Sequence, residues 1–182
     1  MSKLDEARDP RTTPERLAEL AEDEDEFVRS RVAQHPNTLP ELLIQLATDE
    51  DYMVRSDVAR NIKTPSDALA QLARDEERDV RQGVAGNPST PAELLAQLAE
   101  DGHMYVRWAV AENRSTPADT LTQLATDEGW RVREWVGRNP NTSTPTLTLL
   151  TTDEDEYVVK AARETLATRS RSTLAWGMGV GL

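Results

Sequence analysis

A 26-residue pattern recurs six times along this chain without an insertion or a deletion. Two leucine positions three residues apart carry it most clearly. They are Leu17, Leu43, Leu69, Leu95, Leu121 and Leu147, and Leu20, Leu46, Leu72, Leu98, Leu124 and Leu150. A short repeat cannot bury its apolar face alone, so a chain with such a period folds as a stack of equivalent repeats.

Each repeat predicts two short helices. Leu17, Leu20 and Ala21 follow the i, i+3, i+4 spacing of a helix with one buried stripe. Val28 and Val32 then form an i, i+4 pair in a second segment, after an acidic stretch. Helices of this length are not stable in isolation, because nucleation is unfavourable. We therefore expect the Leu and Val faces of neighbouring repeats to stack into one continuous core.

Two polar columns mark the predicted helix ends. Thr64 is followed three residues later by Asp67, and this spacing predicts a capping box at the start of the first helix. Asn61 ends the second segment, where the left-handed conformation that Asn tolerates would close the helix. The columns are Thr12, Thr38, Thr64, Thr90, Thr116 and Thr142, and Asn61, Asn87, Asn113 and Asn139.

Composition excludes several classes of protein. The 182 residues include no Cys, which excludes disulfides, Fe–S clusters and thiolate zinc sites. No apolar run reaches the about 20 residues of a membrane helix, and Met1–Pro10 has no signal-peptide core. We therefore expect a cytoplasmic protein without cofactor or membrane contact. The net charge of −12 disfavours nucleic acid unless the basic residues are segregated on one face.

The segment TPAELLAQLAED at 90–101, followed by VRWAVAEN at 106–113, resembles the leucine-rich repeat variant family. The resemblance extends over roughly residues 9–165. It implies an all-α, right-handed solenoid of six 26-residue repeats in which α-helices and 3₁₀ helices alternate. A family member carries a cysteine-ligated Fe–S module before its repeats, but this chain has no Cys and the redox role does not transfer. The repeat itself brings no catalytic residues.

The ends of the array depart from the pattern, as terminal repeats do. Residues 1–8 align with a second helix, with Lys3 in the arginine column, and predict an N-terminal capping half-repeat. Residues 9–167 are expected to form the solenoid, which ends with a closing helix over Tyr157–Ala167. Residues 168–182 lose the repeat register and turn basic, then Gly-rich and apolar, which predicts a disordered tail.

An arginine column offers one candidate binding surface. Five arginines at equivalent positions could form a basic stripe for nucleic acid. An Asp column in the same register suggests instead a structural ladder of ion pairs, which we favour because regular positions in repeat arrays serve packing. The arginines are Arg29, Arg55, Arg81, Arg107 and Arg133, and the acids are Asp23, Asp49, Asp75, Asp101, Asp127 and Asp153.

A cluster of large side chains in the fourth and fifth repeats offers a second candidate. It comprises Met104, Tyr105, Trp108, Trp130 and Trp135, none of which occupies a core column. Ser30, Ser56, Gln82 and Glu134 occupy the position of Trp108 in other repeats, which suggests exposure. Exposed aromatic clusters mark interaction sites. Alternatively, the rings fill space over Gly129 or Gly137, and both interpretations stay open.

These observations favour a non-enzymatic scaffold that binds a protein or peptide through the variable face of the repeats. Nucleic-acid binding along the arginine column is the alternative. An enzyme has little support, because no catalytic or phosphate-binding motif accompanies His35 or His103. The acidic turns contain no Asp-x-Asp-x-Asp-Gly loop, so we expect solvated charge there rather than a metal site.

Overall fold

A computed structural model of the chain describes the backbone of residues 2–177 and the side chains of residues 2–171. Over this range the chain forms thirteen α-helices and no β-strand. None of these helices combines the length and apolar character needed to cross a membrane. The chain divides into two compact units, Met1–Leu94 and Leu95–Leu182.

The helices keep the sequence period throughout. Each repeat contains a first helix of seven residues and a second helix that begins twelve residues after the start of the first. The first unit contains α1 (Lys3–Arg8), α2 (Pro14–Leu20), α3 (Glu26–Gln34), α4 (Pro40–Leu46), α5 (Tyr52–Arg60), α6 (Ser66–Leu72) and α7 (Arg78–Gly86). After α8 (Ala92–Leu98), the second unit contains α9 (Met104–Glu112), α10 (Ala118–Leu124), α11 (Trp130–Arg138), α12 (Thr144–Leu150) and α13 (Glu156–Gly177).

The core of each unit consists of the predicted columns. Both leucine columns are at most 2% exposed, and the valines beside them at most 3%. In the first unit α5 packs between α3 and α7, and in the second unit α11 packs between α9 and α13. Full burial of such a side chain contributes about 1.5–3 kcal/mol. The all-helical repeat fold expected from the period is confirmed.

The alternation of α- and 3₁₀ helices implied by the resemblance does not occur in residues 2–177, where both helices of each repeat are α-helical. In α2, the Leu17 N–H donates to the Thr13 carbonyl and the Ala21 N–H donates to the Leu17 carbonyl, both at 2.9 Å. These are i→i+4 bonds. Bonds of the i→i+3 type follow only as the helix ends, as from Asp23 to Leu20.

The threonine column does not form the predicted capping boxes. The Oγ1 of each threonine donates to the carbonyl oxygen six residues earlier, over 2.5–2.6 Å. The same carbonyl also accepts the N–H of the residue that ends the helix, as Val58 does from Asn61 at 3.0 Å, so the threonine adds a second bond to it. The N-cap is the following residue, such as Thr13 in α2 or Ser143 in α12. The threonines therefore link consecutive helices.

The asparagine column also differs from its prediction. The helix ends there are extended, and no non-glycine residue in the described backbone has a positive φ. Instead, Asn139 Nδ2 donates to the carbonyls of Ala111 (2.8 Å) and Asn113 (2.9 Å) in the preceding repeat. His35 occupies the same position in the first repeat, with Nε2 2.9 Å from the Asp9 carbonyl. Within each unit, the column ties a repeat to the one before it.

The described part of the chain begins and ends with a helix. Helix α1 packs against α2 and α3, and Lys3 forms an ion pair with Asp23 at 2.6 Å. At the other end α13 continues to Gly177, because no Asn-Pro stop follows Leu166. The prediction of a disordered tail is therefore wrong for residues 168–177, which are helical. Residues 178–182 lie outside the described part of the chain.

Candidate functional site

The arginine column forms buried ion pairs within each unit. Arg133 donates from Nε and Nη2 to the two carboxylate oxygens of Asp153, at 2.8 and 2.9 Å. Its Nη1 donates to the Asp127 carbonyl at 2.8 Å. The same arrangement joins Arg29 to Asp49, Arg55 to Asp75 and Arg107 to Asp127. Arg81 donates to the carbonyls of Asp75 and Glu76.

The electrostatics of these pairs work against an exposed basic stripe. The side chains of Arg29, Arg55, Arg107 and Arg133 are only 10–13% exposed. The hydrogen bonds that Arg133 donates to Asp153 lower the pKa of Asp153 and raise the pKa of Arg133. Each guanidinium is thus neutralised and turned inward. The nucleic-acid alternative loses the surface on which it depended.

The acidic turns use their carboxylates locally. Asp153 Oδ1, besides its bond to Arg133, accepts the Asp155 N–H at 2.9 Å, and Asp155 in turn caps α13 through the Tyr157 N–H at 2.9 Å. Such carboxylates stabilise the helix N-terminus. Among the residues whose side chains are described, no group of three or more His, Asp or Glu side chains is arranged to hold a metal ion.

Four members of the cluster meet in one cleft between the neighbouring helices α9 and α11. The cleft has a volume of about 280 Å³. It is lined by Met104, Tyr105, Trp108, Arg131, Glu134 and Trp135, and we call it the aromatic cleft. The Trp108 and Trp135 rings meet edge to face, with centroids 6.1 Å apart and planes at 72°. Both indoles are half-buried, whereas Tyr105 is 41% exposed.

Helical spacing explains why these residues share a surface. Tyr105 and Trp108 are three residues apart on α9, and Arg131 and Trp135 are four apart on α11, so each pair lies on one helix face. The valine column lies on the buried side of the same helices. The surface of α9 and α11 that carries the aromatic cleft therefore lies outside the leucine and valine core.

Trp130 does not line the cleft but lies beside it. Its ring stacks on Tyr157, with centroids 5.5 Å apart and planes at 28°. The guanidinium carbon of Arg131 lies 5.1 Å from the Trp130 centroid on the same helix. Sequence reasoning grouped Trp130 with the other four residues, but the structure gives it a different set of contacts.

The alternative that large side chains cover the glycines holds for only one of them. A Cβ built on Gly129 would lie 3.1 Å from Met104 Sδ, so Met104 does pack over this glycine. At Gly137 the heavy atoms closest to a built Cβ belong to Ala161 and Ala162 of α13, at 3.1–3.5 Å. Space filling over glycine therefore accounts for Met104 and leaves Trp108 and Trp135 unexplained.

Three charged residues of the site were missed in the sequence. Arg131 and Glu134 line the cleft, and Glu134 Oε1 accepts hydrogen bonds from Arg138 Nε (3.1 Å) and Nη2 (2.7 Å). The Arg138 guanidinium lies 5.9 Å from the Trp135 centroid. Their i, i+3 and i+4 spacing from the tryptophans was the available signal. His103, considered for an enzyme, stacks on Tyr105 at 5.6 Å and is not a lining residue.

Comparison with known proteins supports the repeat assignment. The family model "Leucine Rich Repeat Variant domain" matches residues 1–62, and "Leucine rich repeat variant" matches residues 78–103 and 130–155. A solved structure described as a leucine-rich repeat variant with a novel repetitive motif is 32% identical, with a TM-score of 0.67. The alignment covers 90% of this chain and 64% of that protein, so the chain spans less than two thirds of its length.

Other solved structures share the fold alone. The E. coli protein YibA is 21% identical with a TM-score of 0.60, over 91% of this chain and 73% of YibA. An engineered protein is 18% identical with a TM-score of 0.51, over 84% of this chain and 94% of its own. No curated protein matches the chain.

Proposed function

The chain belongs to the leucine-rich repeat variant family, and on that premise we propose that it is a non-enzymatic scaffold that binds a protein or peptide. The binding surface is the aromatic cleft, with Met104, Tyr105, Trp108 and Trp135 as contact residues and Trp130 beside them. The repeat framework contributes rigidity, because α9 and α11 pack side by side and hold the cleft residues at fixed spacing.

The observation that carries this proposal is the placement of two tryptophans in an open cleft. Trp108 and Trp135 lie outside the packed core, yet they contact each other and line a concave surface. Aromatic side chains in such a position contribute large contact area at low entropic cost, and they are enriched among binding hot spots. Packing over glycine does not account for them.

The proposal is tested with peptides selected from a displayed random library on the full chain. Selected peptides are titrated into the wild type, Trp108→Ala and Trp135→Ala, with binding followed by calorimetry. We expect each substitution to weaken binding by at least tenfold, as for a hot-spot residue. The melting temperature should fall only modestly, because the ring pair contributes about 0.5–1.5 kcal/mol beyond its buried area.

Matched controls come from the equivalent positions of the first unit. Gln82 and Arg31 occupy the positions of Trp108 and Trp135 in other repeats. Gln82→Ala and Arg31→Ala should both leave peptide affinity unchanged. Unchanged affinity in both tryptophan variants would overturn the proposal. A large loss of stability in those variants, matched by the loss of binding, would show that the rings serve packing.

A further inference from the structure

We infer that the aromatic cleft selects a peptide segment in which an acidic residue adjoins an apolar side chain, with the apolar group packed against the two indoles and the carboxylate bound to Arg131. This inference rests on the proposed function and specifies its ligand. It follows from the charges around the cleft, which differ from the charge of the whole chain.

The apolar part of the ligand is set by the lining. Met104, Tyr105, Trp108 and Trp135 contribute thioether and ring surface on both sides of the cleft. Its volume of about 280 Å³ is slightly below the about 300–1,000 Å³ of typical small-molecule sites. One large apolar side chain from a peptide therefore suffices as an anchor, in the manner of hot-spot residues at protein interfaces.

The acidic part is set by the two charged residues of the lining. Glu134 is only 14% exposed in its side chain, and Arg138 already donates two hydrogen bonds to it. It is therefore neutralised and offers little attraction to a cation. Arg131 is exposed and forms no ion pair with a carboxylate among the described side chains. The rim of the cleft thus carries one uncompensated positive charge.

Arg131 is also held in place. Its guanidinium lies over the Trp130 ring, which stacks in turn on Tyr157. Cation–π contact and stacking restrict the rotamers of the arginine without consuming its hydrogen-bond donors. A guanidinium fixed in this way can donate two parallel hydrogen bonds to an incoming carboxylate. This gives Trp130 a function as a positioning residue for Arg131.

The inference is tested with four dansylated peptides of equal length, GGWEEGG, GGWKKGG, GGWSSGG and GGAEEGG. Their binding to the full chain is measured by fluorescence anisotropy at low and physiological salt. We expect the Trp-Glu peptide to bind about tenfold more tightly than the Trp-Lys and Ala-Glu peptides, which corresponds to about 1.4 kcal/mol. The preference over Trp-Lys should shrink with added salt.

Substitutions at Arg131 separate this inference from the proposed function. Arg131→Met should abolish the difference between the Trp-Glu and Trp-Ser peptides, and Arg131→Glu should reverse the preference toward Trp-Lys. Arg114→Glu makes the same charge change at an exposed position of the same unit and should reduce Trp-Glu binding much less. Circular dichroism of each variant establishes that it is folded.

Each failure has a distinct meaning. A wild-type preference for Trp-Lys, or a Trp-Glu preference that Arg131→Glu leaves intact, overturns the inference about charge. The proposed function survives in that case if Trp108→Ala and Trp135→Ala still abolish binding of the preferred peptide. Binding that neither tryptophan substitution changes, or binding of none of the four peptides, overturns both.

Discussion

In both compact units the second helices bury the same valine columns, but they differ at two other positions. In the first unit small and polar side chains fill these positions. Ser56 Oγ donates to the Asp79 carbonyl at 3.1 Å, and a Cβ on Gly83 would lie 2.9 Å from the Ala59 Cβ. In the second unit the corresponding positions carry Trp108 and Trp135, and the aromatic cleft lies between them.

This difference between the units shows which positions of the repeat are not fixed by packing. The buried columns have the same contacts in both units: Arg55 binds Asp75 as Arg133 binds Asp153, and Thr64 and Thr116 each bond the carbonyl six residues back. The large side chains of the aromatic cleft stand at positions that differ between the two units. Four predictions follow from this division, in order of decreasing effect on stability.

The largest effect is expected from the ion pairs. Arg55→Ala and Arg133→Ala should each lower the free energy of unfolding by about 3 kcal/mol, the lower end of the range for a buried pair. Each removes a bidentate contact and leaves Asp75 or Asp153 uncompensated. Urea denaturation measures the loss. Exposed Arg131→Ala is the control, and a loss below 1 kcal/mol in both variants would mean that the pairs behave as surface salt bridges.

A smaller effect should distinguish two glycines of α7. Gly83→Ala adds a Cβ only 2.9 Å from the Ala59 Cβ, and the resulting overpacking should lower stability by about 1–3 kcal/mol. Gly86→Ala meets no atom within 4 Å and should raise stability by about 0.5–1 kcal/mol, because Gly is a poor helix former. Thermal denaturation of both variants gives the signs. Equal changes would contradict the close approach of α5 and α7.

The threonine column should contribute equally in both units. Thr64→Val and Thr116→Val keep the side-chain shape but leave a buried carbonyl without its hydroxyl donor, at a cost of about 1 kcal/mol. Exposed Thr126→Val, with a bond to its own helix, should change stability by only a few tenths of that. Chemical denaturation of the three variants compares them directly. A clear difference between Thr64→Val and Thr116→Val would show that the two units are not equivalent.

The last prediction concerns how stability depends on pH. Burial is the largest influence on the pKa of Asp75 and would raise it, but the hydrogen bonds from Arg55 and the Glu77 N–H and the charges of Arg55 and Arg81 together lower it. The pKa of Asp153 is also lowered, mainly by the hydrogen bonds from Arg133. A lowered folded-state pKa contributes stability that is complete above the unfolded value of about 3.9 and is lost as the pH falls through the folded value. Asp75→Asn and Asp153→Asn should therefore differ from wild type most at pH 7.

Urea denaturation between pH 3 and pH 7 follows this difference. In both variants the gap to wild type should narrow as the pH falls below about 4, because the carboxylates of the unfolded wild type then take up protons while those of the folded protein stay ionised to a lower pH. A gap of constant size across the range would mean that the charge of these two residues contributes nothing.

Much of the fold could be predicted from periodicity. The Leu and Val columns gave the core and both helices of each repeat, because spacing by i, i+3 and i+4 identifies a buried helix face wherever it recurs. The roles of the threonine and asparagine columns could not be predicted in the same way. Their hydroxyl and amide groups can bond within a helix or across to another element, and sequence spacing does not distinguish these partners.

The sequence by itself determined the repeat, its register and the positions outside the core, since these depend on one-dimensional spacing. Only the tertiary structure decided that Arg133 turns inward to Asp153, while Arg131, two residues earlier, stays outside at the aromatic cleft. Residues two apart on a helix point about 200° apart, so neighbouring repeats settle which of two like charges is neutralised and which stays available to a partner.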